Sequence, residues 1–344
     1  MKSSKQQQPS QSSSDRLSRQ AIVYLVLLAV QFGCQPILTR RFAPSGVNRS
    51  TIVLMQELVK FFLAATFLFV SGAARESWKN WSVISWLAVA LFPALLYSVQ
   101  NLASIMAYQN LDALTFNVLN QTKTLSAALC TYLVMGKTQS QWQIVALFLL
   151  FLSALVMEGI VPVDALLGSF RTNYSQHTNR TKDRFNTHHL TYGVAPLLLA
   201  SFISGLAGAV AQKNLQTGAR NSYQFSMELC IATILILTGS LLVAPDGRMI
   251  LEHGFWHNWT LWTWIPIFTN AIGGVLVGLV TKYAGSVSKG FALIFGMLLS
   301  GMVQAMIEPD IGVSAGQVVG GLLAATSLYL HSTNPPKPKT VKQD

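Results

Sequence analysis

Apolar residues form long, nearly continuous blocks along the chain, separated by short polar breaks. The runs at 21–38, 144–157 and 231–243 are too long and too continuous for the helices of a soluble core. A helix that crosses a bilayer needs roughly 20 mostly apolar residues. The blocks predict ten such spans, near residues 20–41, 52–71, 83–108, 112–135, 141–161, 190–213, 222–244, 260–283, 288–307 and 313–331. The pattern therefore predicts an all-α integral membrane protein.

The predicted spans divide into two halves of five. The third and fourth spans are joined only by Gln-Asn-Leu-Asp at 109–112, and the eighth and ninth only by Ala-Gly-Ser-Val-Ser at 284–288. Because five is an odd number, the second half would be inverted relative to the first, and many carriers hold their binding site between two such repeats. The predicted organisation is a disordered cytosolic tail at 1–19, a first five-helix repeat at 20–161, a polar lumenal loop at 162–189, a second five-helix repeat at 190–331 and a cytosolic tail at 332–344.

Polar side chains interrupt the third and fourth spans in a regular pattern. In each span they recur at the spacing of a single helix face. The two sets are Tyr97, Gln100, Asn101, Ser104 and Tyr108, followed by Asn117, Asn120, Gln121 and Thr124. A single polar residue in a membrane helix usually bonds to a neighbouring helix, but each unpaired group facing lipid costs several kcal/mol. Two complete polar faces on adjacent helices therefore favour a water-filled interior.

Charged residues are scarce, at 11% of a chain that is 51% hydrophobic, so those inside the spans are candidates for function. Glu57 and Lys60 lie on one helix face and are able to pair, whereas Lys123 stands in mid-span with no acid nearby in the sequence. The other lysines in or beside spans are Lys213, Lys282 and Lys289, and the other acids are Glu158 and Glu228. These three lysines either line the interior or extend to the lipid headgroups. If they point inward, the interior is net positive and suits a small polyanion.

Several classes of partner are not predicted. The net charge of +11 does not form one basic face, since the lysines and arginines are divided among spans, loops and tails, so nucleic acid is not an expected partner. Cys34, Cys130 and Cys230 fall within spans, and no Cys or His shows metal-ligand spacing, so we expect no metal and no other cofactor. The distribution of basic residues and of most Asn-X-Ser/Thr sequons favours cytosolic termini.

Four segments carry a resemblance to a known family. They read VQNLASIMAYQNLDALTFNVLNQTKTLSAALCTYLVMGKTQSQWQ, QELVKF, SGLAGAVAQKNL and GGVLVGLVTKYAGSVSKGFA. Together with the final Gly-rich span they resemble nucleotide-sugar transporters, in the branch for CMP-sialic acid, UDP-galactose and UDP-N-acetylglucosamine. The resemblance implies the ten-helix drug/metabolite transporter fold in a Golgi or endoplasmic reticulum membrane. It also implies exchange of a cytosolic nucleotide sugar for a lumenal nucleoside monophosphate. Membrane lipid is a further expected partner, and a homodimer is an open alternative to a monomer.

The resemblance also implies which residues bind substrate, and it implies a carrier without catalytic residues. Carried over to this sequence, Lys60, Asn101, Lys123 and Lys282 would contact the nucleotide and its phosphates. Ser204, Gly205 and Gly208 would let the substrate approach a helix backbone. The polar faces add Tyr97, Asn117, Asn120, Gln121 and Asn270 as candidates, and Glu57, Lys213, Thr281 and Lys289 complete the set.

Three departures from the CMP-sialic acid branch favour a UDP-sugar. Leu102 stands where that branch usually has a second Asn, Gln212 stands where it has an acid, and the seventh span opens with SYQFSMEL. The predicted substrate is UDP-N-acetylglucosamine or UDP-N-acetylgalactosamine, with CMP-sialic acid as an alternative. A lipid-linked transferase is an alternative from another class. It would need paired acids to handle pyrophosphate and Mg²⁺, and the sequence contains no DxxD motif.

Overall fold

The computed structural model describes residues 18–44, 46–79, 81–111, 116, 119–157, 190–218, 220–307 and 315–336. These residues are mostly helical, and no strand occurs among them. Most of both predicted tails, the whole predicted loop at 162–189, and the residues Asn117 and Glu158 lie outside these ranges.

Several helices in the first half of the chain have capping residues at their ends. They are α1 (Arg19–Phe42), α2 (Arg49–Val70), α3 (Ala74–Lys79), α4 (Val83–Asn110), α5 (Thr122–Met135) and α6 (Gln141–Met157). Before α1, Ser18 Oγ accepts from the N–H of Ala21 at 3.1 Å, and Asn48 Oδ1 caps α2 by accepting from the N–H of Ser50 at 2.9 Å. Helix α5 ends at Gly136, whose φ of +66° is the left-handed conformation that glycine adopts freely.

The second half contains α7 (Leu190–Gln216), α8 (Ser222–Leu241), α9 (Pro245–His253), α10 (Trp264–Tyr283), α11 (Gly285–Ile307) and α12 (Ala315–Thr333). Only Ala284 separates α10 from α11, because Gly285 has a φ of +85° that permits the reversal. The ninth span was predicted to start at 288, and its helix starts three residues earlier, at Gly285. The connection is therefore tighter than the sequence indicated.

Each predicted span overlaps a helix of the described structure. Seven of these helices are long and apolar enough to cross a membrane: α1, α2, α4, α7, α8, α10 and α11. Helix α6 is apolar but shorter, and α5 has 14 described residues. The prediction of an all-α, multi-pass membrane protein is confirmed. The count of ten spans and the inverted repeat stay predictions.

The helices pack through small residues at their crossings. Helix α1 lies against α10 and α11, and α7 lies against α4 and α5. A Cβ atom on Gly33 of α1 would lie 2.9 Å from the carbonyl oxygen of Gly296 on α11, and one on Gly205 of α7 would lie 2.6 Å from the carbonyl carbon of Ser126 on α5. Only glycine permits such close backbone contact. The same device joins α12 to α6, where a Cβ on Gly320 would lie 2.8 Å from the Ser153 carbonyl oxygen.

Candidate functional site

A cavity of about 100 Å³ lies among α1, α5, α7 and α11. Its lining residues are Phe32, Lys123, Thr124, Ala127, Ser204, Gly208, Ser286, Lys289, Gly290 and Leu293. Four residues of the predicted site, Lys123, Ser204, Gly208 and Lys289, therefore meet in one place. Gly205 lies beside them, at the close crossing of α7 with α5.

Two ammonium groups face this cavity without an acidic partner. Lys123 lies on α5 and Lys289 on α11, and the two charges are near enough to repel one another. In the described part of the chain, the ion pairs found are Glu57 with Lys60 and Glu228 with Arg220, so neither lysine of the cavity is neutralised. Two unpaired positive charges in a partly buried space attract a multiply charged anion.

Backbone contacts around the cavity bring α7 and α11 together. The Ser286 hydroxyl donates to the carbonyl oxygen of Gly208 at 2.7 Å. Gly290 lies directly against the side chain of Thr124, so α11 also approaches α5 without an intervening Cβ. Thr124 belongs to the polar face found in the sequence. Five other lining residues were not predicted: Phe32, Ala127, Ser286, Gly290 and Leu293. Of these, Gly290 had a signal, since it directly follows Lys289 in the sequence.

A second polar group lies between α2, α4, α8 and α10. Lys60 Nζ lies 2.6 Å from Glu57 Oε1, as their spacing on one helix face indicates, and the two side chains are 15% and 14% exposed. The Lys60 stem packs on Gly274 of α10, and the hydroxyl of Tyr97 and the thiol of Cys230 lie within electrostatic range of the pair. The second oxygen of Glu57 is inaccessible to solvent and has no hydrogen-bond partner.

The polar face of α4 divides between two environments. Gln100 is buried, and its Nε2 donates to Asn101 Oδ1 and Ser104 Oγ, both at 3.3 Å. Asn101 is exposed, whereas Tyr108 lies at the helix end with its ring edge-on to Phe116 at 5.3 Å. The polar residues of this face therefore have different neighbours along α4, and the water-filled interior stays a prediction.

On the fourth predicted span, Gln121 contacts α11 and Asn120 has a buried amide oxygen. Gln121 is buried and donates from Nε2 to the sulfur of Met297 at 3.4 Å. The Oδ1 atom of Asn120 is inaccessible to solvent and has no partner. Asn117 lies outside the described residues.

Four other candidates do not line the lysine cavity. Lys213 and Asn270 are exposed on α7 and α10. Thr281 is buried and donates to the Val277 carbonyl oxygen at 2.7 Å, which is a contact within its own helix. Lys282 is not among the lining residues, and its ammonium group lies 5.5 Å from the centroid of the Tyr283 ring.

Glu228 and Gln212, which set this chain apart in sequence, both have structural partners. Glu228 pairs with Arg220 and accepts from Gln224 Nε2 at 3.2 Å. Gln212 Oε1 accepts from the N–H of Ser286 at 2.8 Å, and its Nε2 donates to Gln216 Oε1 at 3.0 Å. A carboxylate at Gln212 could accept but not donate, so the amide suits both contacts.

The residues described here bring together no group of three His, Cys, Asp or Glu side chains suited to a metal. Cys34, Cys130 and Cys230 are all free thiols. The side chains of the cavity and of the second polar group offer ammonium groups, hydroxyls, one thiol and one carboxylate.

Comparison with known proteins assigns the chain to a family. The family described as nucleotide-sugar transporter matches residues 16–332. The UDP-N-acetylglucosamine transporter ROCK1 of Arabidopsis thaliana is 34% identical over 86% of this chain and 87% of its own length. The UDP-N-acetylglucosamine/UDP-N-acetylgalactosamine transporter nstp-4 of Caenorhabditis elegans is 27% identical over 92% of this chain and 95% of its own length. The UDP-galactose translocator of Canis lupus familiaris is 27% identical over 82% of this chain and 68% of its own length.

A solved crystal structure of a protein, 9% identical in sequence, superposes with a TM-score of 0.64 over 92% of this chain and 99% of that chain. At this identity the likeness concerns the fold alone. The family match is to transporters and not to enzymes, so the lipid-linked transferase alternative is set aside. The resemblance found in the sequence is confirmed, and the chain belongs to the nucleotide-sugar transporter family.

Proposed function

We propose that this protein is an antiporter that carries a UDP-sugar into the lumen of the Golgi or endoplasmic reticulum and returns a nucleoside monophosphate. The relatives named above as UDP-sugar transporters support the UDP-sugar, and two of them name UDP-N-acetylglucosamine. UDP-N-acetylglucosamine or UDP-N-acetylgalactosamine is the preferred substrate, in line with the departures at Leu102 and Gln212 from the CMP-sialic acid branch.

The observation that carries the proposal is the cavity with two unpaired lysines. A nucleotide sugar and a nucleoside monophosphate share a phosphate next to the nucleoside, and ammonium groups attract phosphate as point charges. Lys123 and Lys289 would bind this shared phosphate from opposite sides. Because both exchanged substrates carry it, one site serves both directions of transport.

The remaining groups would then bind the uncharged parts of the substrate. Glu57, Lys60 and Tyr97 form the second polar group, and Asn101 and Asn120 offer amides on the polar faces of the third and fourth spans. Ser204 and the nearby glycines Gly205 and Gly208 leave the backbone of α7 open to close approach.

The packing of the helices supports two inverted repeats of five spans. Helix α1, the first span, packs on the eighth and ninth spans, α10 and α11. Helix α7, the sixth span, packs in the same way on the third and fourth, α4 and α5. The second span pairs with the seventh, α2 with α8, and the fifth with the tenth, α6 with α12. This exchange of partners is what a two-fold axis between the halves produces, and it suits alternating access.

The proposal is tested by transport in a defined system. Purified protein is placed in liposomes loaded with UMP, and uptake of labelled UDP-N-acetylglucosamine is measured against empty liposomes. We expect loaded UMP to stimulate uptake severalfold, because return of the empty carrier is slow without a second anion. If neither UMP nor CMP inside the liposomes stimulates uptake, antiport is rejected.

A competition panel distinguishes the substrates. Unlabelled UDP-N-acetylglucosamine, UDP-N-acetylgalactosamine, UDP-galactose and CMP-sialic acid are added in turn outside UMP-loaded liposomes. We expect the two N-acetylhexosamine nucleotides to inhibit at the lowest concentrations. Strongest inhibition by CMP-sialic acid would support the alternative substrate.

A further inference from the structure

Two glutamines lie one helical turn apart on the face of α1 that packs against α10. Gln31 and Gln35 are at positions i and i+4, and the Nε2 of Gln31 donates to the Oε1 of Gln35 at 3.2 Å. Both residues are half-buried. Sequence reasoning singled out neither, because an isolated Gln in a span is usually a helix–helix contact.

Gln35 has hydrogen-bond partners on α10 for its amide, whereas the amide oxygen of Gln31 has none. Gln35 donates to the Pro266 carbonyl oxygen at 3.0 Å and accepts from the Thr269 hydroxyl at 2.8 Å, so it joins α1 to α10. The Oε1 atom of Gln31 is inaccessible to solvent and has no hydrogen-bond partner. A buried acceptor left unpaired costs about 1–3 kcal/mol. An apolar side chain of similar shape would avoid this cost, so the amide of Gln31 lowers the stability of the folded protein.

Helix α10 makes room for this amide by means of a glycine. A Cβ atom on Gly273 would lie 2.5 Å from Oε1 and 2.6 Å from Nε2 of Gln31. The next residue, Gly274, receives the stem of Lys60 in the same way. Consecutive glycines on α10 thus admit one polar side chain from α1 and one from α2.

The neighbours of Gln31 and of Gly273 connect this contact to both polar groups described above. Its neighbour in the chain, Phe32, lines the cavity that contains Lys123 and Lys289. The stem of Lys60, which is paired with Glu57, packs against Gly274, the residue after Gly273. Glu57 Oε2 is a second buried acceptor without a partner. The interior thus combines unpaired cations with unpaired acceptors.

We infer that Gln31 is a further substrate-binding residue, whose Oε1 accepts a hydrogen bond from an N–H or O–H group of the transported nucleotide. The inference rests on the proposed function. A nucleotide sugar presents phosphates, which the lysines attract, and also hydroxyl and amide donors, which need neutral acceptors. An amide oxygen can accept such a hydrogen bond without repelling the phosphates. A second carboxylate would repel them.

The test compares Gln31→Met with Gln35→Met in UMP-loaded liposomes. Both changes replace an amide with an apolar chain of similar length. We expect Gln31→Met to raise the half-saturation concentration for UDP-N-acetylglucosamine about three- to tenfold, which corresponds to the loss of one hydrogen bond. The same change should not lower the melting temperature in detergent. Gln35→Met should lower the melting temperature and change half-saturation less than twofold. Gly273→Ala should act like Gln31→Met on half-saturation, because its methyl group displaces the amide.

Three ligands identify the donor, with binding followed as the thermal shift that each produces in detergent. Weaker binding of UMP by Gln31→Met places the donor on the nucleoside. Weaker binding of UDP-galactose with UMP unaffected places it on a sugar hydroxyl, and weaker binding of UDP-N-acetylglucosamine alone places it on the acetamido N–H. If wild-type protein transports and Gln31→Met matches it with every ligand, the inference fails while the proposed function stands. If the wild type neither binds nor transports these ligands, the proposed function itself fails.

Discussion

At the scale of single residues, the site is defined by which charges have partners. Lys60 is held by Glu57 at 2.6 Å, and Arg220 is held by Glu228, whereas Lys123 and Lys289 face a shared cavity unpaired. A paired lysine holds its partner, and an unpaired one is available to a ligand. The positions of the acids are therefore the reason why Lys123 and Lys289, and not Lys60, are proposed to bind the phosphate.

Removal of either cavity lysine should therefore impair transport. We expect Lys123→Gln and Lys289→Gln each to reduce uptake of a UDP-sugar into UMP-loaded liposomes at least tenfold, since a hydrogen bond to a charged group contributes about 1.5–3 kcal/mol. Lys79→Gln is the matched control, because Lys79 is exposed on α3 away from the cavity. Uptake by Lys123→Gln equal to that of the control would show that the phosphate binds elsewhere.

At the scale of helices, two polar contacts fix the arrangement of α4, α7, α8 and the turn between α10 and α11. The Arg220–Glu228 pair links to α4, since Arg220 Nη1 donates to Ser85 Oγ at 3.2 Å and Trp86 Nε1 donates to the Glu228 carbonyl oxygen at 3.1 Å. At the end of α7, Gln216 Nε2 donates to the carbonyl oxygens of Thr281 and Lys282 at 3.1 and 2.9 Å.

The buried ion pair gives a stability prediction. Glu228→Gln leaves Arg220 without its counter-charge, and breaking a buried pair in this way costs about 3–5 kcal/mol. We expect a clear fall in the melting temperature measured in detergent. The double variant Arg220→Met/Glu228→Met should recover most of it, because no unpaired charge remains. A double variant less stable than Glu228→Gln would mean that the pair itself stabilises the fold.

The contact at the end of α7 gives a prediction about local opening. Gln216→Leu removes both bonds to the carbonyl oxygens that precede Ala284. We expect backbone amides of 281–288 to exchange with deuterium roughly tenfold faster, which corresponds to about 1.4 kcal/mol of lost protection. Thr217→Ala is the control, since its hydroxyl bonds only within α7, to the Lys213 carbonyl oxygen. Equal exchange in both variants would show that this contact does not hold the turn.

At the scale of the whole molecule, the proposed ten spans place both termini on one side of the membrane, which we propose is the cytosolic side. In sealed microsomes, tags placed at the two ends should both be removed by external protease, with a lumenal marker protected as control. Protection of one tag alone would mean an odd number of spans and would exclude the proposed ten.

Much of this arrangement was predictable from the sequence, because span length and helical periodicity depend on local chemistry. The sequence placed Lys282 and Lys289 together beside one turn, but only the reversal at Gly285 turns Lys289 toward the cavity and leaves Lys282 over Tyr283. Periodicity grouped Gln100 with Tyr108 on one face without revealing that different neighbours cover the two ends of α4. Gln31 gave no signal, since its contact with α10 depends on a glycine 242 positions away.

The central claim is that Lys123 and Lys289 bind the phosphate of the transported nucleotide. The most direct test is calorimetric titration of purified protein with UMP and with uridine, which differ only in that phosphate. We predict that the wild type binds UMP at least about tenfold more tightly than uridine, a difference of at least about 1.4 kcal/mol. In Lys123→Gln/Lys289→Gln this preference should disappear. Equal affinity for the two ligands in the wild type, or an unchanged preference in the double variant, would contradict the account.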